Sequence, residues 1–307
     1  MAIPTVIIVL TFVFLVMRLL PGNVAYSILG EAGRPEDIKL IEQRLGLDRP
    51  LVVQYLDWLR RMGTLDLGTS FVNEEPVLTQ IRSRVGLTVN LAVLSSVIGL
   101  LIAVPAGLIA AFRQDRKADY LFRVLSILGI AIPNFYLALL LLLASGLWIG
   151  FVPPYVYKSP FTDPMYNLKQ LILPALALGA SQAALVARMT RSVCLDVLRS
   201  DFVRTAWAKG LSDEAILLRH VLRPSLLPVI TVAGSQMARM LGGAIVVEAV
   251  FNLPGLGGLL FEAIAVKDYP TVQATIAFAA VFVVLVNLLV DLMYGLLDPR
   301  VRVGQAA

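Results

Sequence analysis

Six runs of predominantly apolar residues, at roughly 2–20, 86–112, 121–150, 170–190, 225–249 and 271–297, dominate the chain. A helix needs about 20 apolar residues to cross a hydrocarbon core of about 30 Å, and these runs have that length or a little more. In lipid, backbone N–H and C=O groups find partners only inside a helix or a closed barrel, so helical runs of this kind read as spans. Composition agrees. The chain is 58% hydrophobic and 15% charged, whereas soluble domains average about 45–50% apolar and about 25% charged. The expectation is an all-α polytopic membrane protein, a single domain over 1–307 with six transmembrane helices. A helical insertion follows the first span, and a helical loop joins the fourth to the fifth. The first run has no basic flank and no small-residue cleavage site, so it reads as a span rather than a signal peptide.

Lysine and arginine assign the sides. Arg113, Arg116, Lys117 and Arg123 stand between the second and third runs, and Arg188, Arg191, Arg199, Arg204, Lys209, Arg219 and Arg223 between the fourth and fifth. Arg300 and Arg302 are in the tail, while the opposite short loops hold only Lys158, Lys169 and Lys267. Both termini and the loop 192–223 are therefore expected in the cytoplasm, and the loop 21–85 outside. The net charge of +5 belongs to these basic loops, since no tract interleaves basic and aromatic residues as a nucleic-acid surface would. Cys194 is the single cysteine, which excludes an internal disulfide and a Cys-rich metal site, and the single His220 argues against a histidine-based metal centre or catalytic pair. Cys194 is expected to be an inert residue near the loop. No G-x-x-x-x-G-K-[ST] phosphate loop occurs, so the chain is not expected to bind ATP, and no catalytic residue or metal ligand is assigned.

The loop 21–85 carries two helical patterns. Ile38, Ile41 and Leu45 follow Pro35 and precede Gly46; Leu51, Tyr55, Trp58 and Met62 follow Pro50 and precede Gly63. Such amphipathic helices either pack on the outer ends of the spans or offer a surface to an external partner.

The stretch 201–228, DFVRTAWAKGLSDEAILLRHVLRPSLLP, is polar and basic between two apolar runs. Ser200 suits an N-cap, Asp201 a first turn, Lys209 a last turn and Gly210 a left-handed stop. Phe202, Val203, Ala206 and Trp207 share an apolar arc opposite Asp201, Arg204, Thr205 and Lys209. A second helix is expected from Ser212, with Asp213 and Glu214 in its first turn, ending before Pro224. The first helix either lies in the lipid interface or inserts into a groove on a partner; its shortness and glycine turn favour a projecting element.

This stretch resembles the EAA loop of bacterial ABC-importer permeases of the dipeptide/oligopeptide/nickel branch. Arg204, Thr205, Ala206, Lys209, Gly210, Leu211, Leu227 and Pro228 match that pattern in place. Further matching segments follow in order: LLPG at 19–22, LGLDRP at 45–50, DLGTS at 66–70, ARMTRS at 187–192, VFNLPGLGGLL at 250–260, KDYPTVQ at 267–273 and NLLVDLMYGLLDPR at 287–300. The resemblance implies a bacterial inner-membrane permease subunit. It implies a second permease, two cytoplasmic ATPase subunits that carry ATP and Mg, and an external substrate-binding protein. It also implies that the residues from Asp201 to Leu211 form a coupling helix docked on the ATPase, the apolar arc entering its groove. Trp207 departs from the family, which often carries arginine there.

Polar residues at membrane depth are candidates for a solute path. Asn90, Ser95, Asn134, Gln236 and Arg239 are the set, and Arg239 serves either a solute carboxylate or a structural pairing. Glu248 reads as an interfacial or capping group, Asn287 and Asp291 as a hydrogen-bonded pair, and Gly234, Gly242 and Gly243 as close helix contacts. An ion-coupled secondary transporter would favour midplane carboxylates and inverted repeats, neither of which is evident. A membrane-embedded enzyme has still less support. The branch implied by the resemblance handles peptides, nickel chelates, glutathione and some oligosaccharides; without a metal-ligand cluster, short peptides are favoured.

Overall fold

The computed structural model describes residues 2–19, 34, 36, 38, 39, 43 and 46–297. In chain order the helices are α1 (Ala2–Leu19), α2 (Leu51–Gly63), α3 (Val77–Phe112), α4 (Lys117–Ala131), α5 (Asn134–Ala144), α6 (Pro164–Leu198), α7 (Asp201–Ala208), α8 (Asp213–Ala215), α9 (Arg223–Val250), α10 (Leu256–Ala265) and α11 (Tyr269–Leu297). π turns at Ser145–Ile149 and Ile216–Leu222 continue α5 and α8.

Among the described residues, four helices are long and apolar enough to cross a membrane: Val77–Phe112, Pro164–Leu198, Asp213–Met237 and Tyr269–Leu289. The second span therefore begins well before residue 86. The third expected span, 121–150, is not one straight helix: Lys117–Ala131 and Asn134–Ile149 meet at 105°, and counted as one bent span they bring the total to five. The cause is local. Pro133 disfavours the helical region for the residue before it, and Ile132 is extended at φ −81, ψ 121. In the first expected span, the apolar helix Ile3–Arg18 falls below that length.

The chain divides into two compact units. The first comprises Met1–Thr88 and Pro254–Leu285. Its core gathers Val77, Ile81, Leu256, Leu259 and Ala274. Within it, α2 packs on α1: the Tyr55 and Trp58 rings lie 5.3 and 5.7 Å from that of Phe14, and the Thr11 and Tyr55 hydroxyls are 2.7 Å apart. Of the two readings of this loop, packing is the one seen for α2, although Leu51 stays 58% exposed. Most of the other helix expected there, including Ile41 and Leu45, lies outside the described residues. The segments DLGTS and KDYPTVQ meet in this unit. Asp268 is buried and accepts from Ser70 Oγ at 2.5 Å, Thr271 Oγ1 at 2.6 Å and Phe71 N at 3.1 Å.

The second unit comprises Val89–Leu253 and Val286–Ala307, and in it α6 packs against α4, α5 and α9. Small residues allow the approach: a Cβ on Gly179 would lie 2.8 Å from the Ser95 carbonyl oxygen, and one on Gly107 2.6 Å from that of Ala187. These are not the glycines that the sequence pattern singles out. Gly243 does pack closely, with Asn134 Nδ2 and Leu178 Cδ2 at 3.3 Å from a built Cβ, but Gly242 has nothing within 4 Å. At the start of α6, Asp163 accepts from Tyr166 N at 3.1 Å. That bond, helped by Lys158 at 3.3 Å, holds the Asp163 carboxyl below the usual carboxylate range.

Candidate docking interface

α7 stands where the sequence places it. Ser200 occupies the N-cap position, but its hydroxyl donates to Val197 O at 2.5 Å instead of capping the helix. The stop is the expected one. Gly210 is left-handed at φ +77, Gly210 N donates to Trp207 O at 2.9 Å and Leu211 N to Ala206 O at 3.3 Å. These two bonds make a Schellman closure, a conformation cheap for glycine alone.

The apolar arc divides. Val203 and Ala206 are 0% and 4% exposed, packed with Ala111, Cys194, Ile216 and Val221 of the same chain. Phe202, Trp207 and Leu211 are 51%, 39% and 40% exposed. This corrects the expectation that the whole arc enters a partner's groove. At about 100° per residue Ala206 and Val203 fall in the middle of the arc and Phe202 and Trp207 on its flanks, so the middle seats the helix on its own protein and the flanks are left outward. The polar side is open: Asp201 and Arg204 are 98% and 74% exposed and sit 3.7 Å apart. Thr205 and Lys209 are exposed as well.

Trp207 is held in place, its Nε1 donating to Asp213 Oδ1 at 3.3 Å. Ser212 caps α8 through Ala215 N at 3.4 Å. The second helix does not end before Pro224; it runs through the π turn into α9, and the proline, which has no N–H to donate, follows just after that π turn. Cys194 is fully buried beneath α7.

A polar cluster lies beside this seat. Asp119, on the first turn of α4, has no exposed surface, and its carboxylate accepts from Arg191 Nε and Nη2 at 2.6 and 2.8 Å. It also accepts from Arg123 Nη2 at 2.7 Å and from Asp115 N at 3.0 Å. In the sequence these arginines stand only as topology markers; Arg123 pairs with Asp119 one helical turn away, but the Arg191 pair joins residues 72 apart and no local pattern announces it.

Among the described residues no hydrogen bond joins any two of the candidate path residues Asn90, Ser95, Asn134, Gln236 and Arg239. Asn90 Nδ2 donates to Asn167 Oδ1 at 2.9 Å, and Ser95 Oγ to Leu91 O at 2.7 Å. Arg239 is exposed midway along α9 and makes no ion pair among the described residues. Glu248, expected as an interfacial or capping group, is fully buried near the end of α9. Asn287 is exposed, and the Asp291 side chain lies outside the described residues. Sequence reasoning missed Gln182, which is buried and donates to Ser96 Oγ at 3.1 Å and Ala233 O at 3.3 Å.

Residues 103–303 match the family described as binding-protein-dependent transport system inner membrane component, and residues 1–92 match the N-terminal membrane component of such systems. A putative peptide transport system permease protein of Brucella abortus (strain 2308) is 41% identical, over 98% of this chain and 96% of that one. The dipeptide transport system permease protein DppB of Alkalihalophilus pseudofirmus is 37% identical over the same shares. The glutathione transport system permease protein GsiC of Escherichia coli O6:H1 is 40% identical, over 98% of this chain and 95% of its own. The chain thus belongs to the inner membrane component family of binding-protein-dependent transport systems.

Proposed function

We propose that this chain is the permease subunit of an ATP-driven importer and forms half of a translocation path for short peptides or related small solutes. The observation that carries the reading is the divided face of α7. A helix whose Val203 and Ala206 are anchored in its own protein, while Phe202, Trp207 and Leu211 stay exposed among Arg204, Thr205 and Lys209, is built to receive a second protein. The occupant is a cytoplasmic ATPase subunit, with Asp201 and Gly210 fixing where the helix begins and ends. Six crossings are proposed, α1 and the bent α4–α5 pair each counting as one, with both termini and 192–223 in the cytoplasm and 21–85 outside. The partners are a second permease, two ATPase subunits and an external binding protein; ATP and Mg are bound by the ATPases, and this chain holds no cofactor. The peptide and dipeptide permeases among the relatives support peptides, and the glutathione permease at 40% identity supports a second reading, a peptide-like thiol.

The test is purification of the chain alone and with its ATPase subunits. The complex is expected to hydrolyse ATP and the chain alone to show none, because it has no phosphate loop. Turnover by contaminant-free chain alone overturns the reading.

A further inference from the structure

We propose that Asp119, gripped by Arg191 and Arg123, is a positioning residue for energy coupling: it locks α4 to α6 beside the seat of α7, so that displacement of α7 is passed to both helices. This rests on the reading of α7 as the ATPase contact. The helix sits on Ala111 from the last turn of α3, Cys194 from the end of α6, and Ile216 and Val221 from the π turn before α9. That seat is apolar packing. The ion cluster adds a directional link from the turn after α3, through α4, to α6. Asp119 follows α3 after the short 113–116 turn, and Arg191 precedes Cys194 by less than one helical turn.

The geometry suits a lock. The Arg191 fork meets both carboxylate oxygens, at 2.6 and 2.8 Å, which fixes orientation as well as distance. Arg123 adds 2.7 Å to the same carboxylate and 3.1 Å to Asp115 Oδ1, and Asp115 N adds 3.0 Å, so the turn itself is stapled to Asp119. A carboxylate with no exposed surface is costly to desolvate, and apolar residues of similar volume often serve stability as well or better. What apolar packing lacks is a directional link between two helices. A set of neighbours that tolerates sliding would absorb movement of α7; a forked ion pair transmits it.

The experiment uses the full complex in proteoliposomes, with uptake and ATP hydrolysis measured on the same samples. Arg191→Lys keeps the charge but loses the fork, and Asp119→Asn keeps the shape but loses the charge. Both are expected to retain the ATPase subunits and to raise the ATP consumed per solute imported by about fivefold or more. A spin-label pair at Arg116 and Thr205, in a Cys194→Ala background, should give a broader distance distribution in both variants. Arg84→Gln breaks the exposed pair to Glu262 (2.9 Å) and is the control for mere loss of an ion pair; it should leave the ratio at the wild-type value. An unchanged ratio in the two cluster variants, or a rise equally large in Arg84→Gln, overturns the proposal. So does disassembly of both cluster variants, which would make the cluster purely structural. A wild-type complex that hydrolyses ATP without any uptake overturns the underlying reading as well.

Discussion

Ala206 is 4% exposed and its neighbour Trp207 is 39% exposed. The two residues therefore predict different failures. Ala206→Glu would put a carboxylate among Cys194, Ile216 and Val221, an unpaired buried charge that costs several kcal/mol and should unseat α7. Trp207→Ala should leave α7 seated and weaken only ATPase retention. Amide exchange in α7, read beside subunit retention, separates the two; equal protection in both variants, or full retention in Trp207→Ala, would defeat the assignment. A Cβ added at Gly210 meets no atom within 4 Å, so Gly210→Val acts chiefly through the left-handed backbone, about 1–2 kcal/mol, enough to misplace Leu211 and leave the spans intact. The glycine stop was legible because it is a one-residue rule. Which half of the arc turns inward was not, because Ala111 and Cys194 decide it from elsewhere in the chain. Arg239 poses the same problem at membrane depth. Exposed and without an ion pair among the described residues, it either lines a wet path or meets a partner subunit. Arg239→Gln is expected to preserve complex yield and lower uptake; collapse of the complex would indicate pairing instead.

Between elements, the informative contacts are those that explain segments with no evident chemistry. DLGTS and KDYPTVQ matched the family as strings, and in the structure they share one carboxylate. Asp268 holds Ser70, Phe71 N and Thr271, which ties the loop after α2 to the start of α11. Asp268→Ala leaves these donors buried with no acceptor, and hydrogen bonds to a charged group contribute about 1.5–3 kcal/mol each. The expected result is faster proteolysis in residues 66–76 and a lower melting temperature, with α7 protection unchanged; wild-type proteolysis would show the contact to be dispensable. Pro133 shows a different limit. The rule that a residue before proline leaves the helix was present in the sequence, yet the apolar run masked it and one span was expected across the break. Hydropathy reports depth in the membrane; it is insensitive to a bend.

For the whole molecule, the apolar runs made an all-α membrane protein readable, because each run is a local property. Contacts between distant segments were not readable. Arg191 and Asp119 are separated by 72 residues, and each alone looks like an ordinary basic or acidic flank. Sidedness falls between these cases, since it rests on counts of lysine and arginine in loops and not on any contact. It can be tested with single cysteines, and the structure determines which ones. Cys194 must be removed, and alanine is the better replacement than serine because the site is fully buried in an apolar cluster. Asp213 is a poor reporter, since its carboxylate holds Trp207; Glu214 is exposed beside it and makes no such bond. Thr64, exposed just after α2, reports on the loop 21–85. In intact cells a membrane-impermeant maleimide should label Thr64→Cys and spare Glu214→Cys, and in inverted vesicles the pattern should reverse. Labelling of both in intact cells would place α7 outside, where no ATPase can reach it, and the proposed function would fall with the topology.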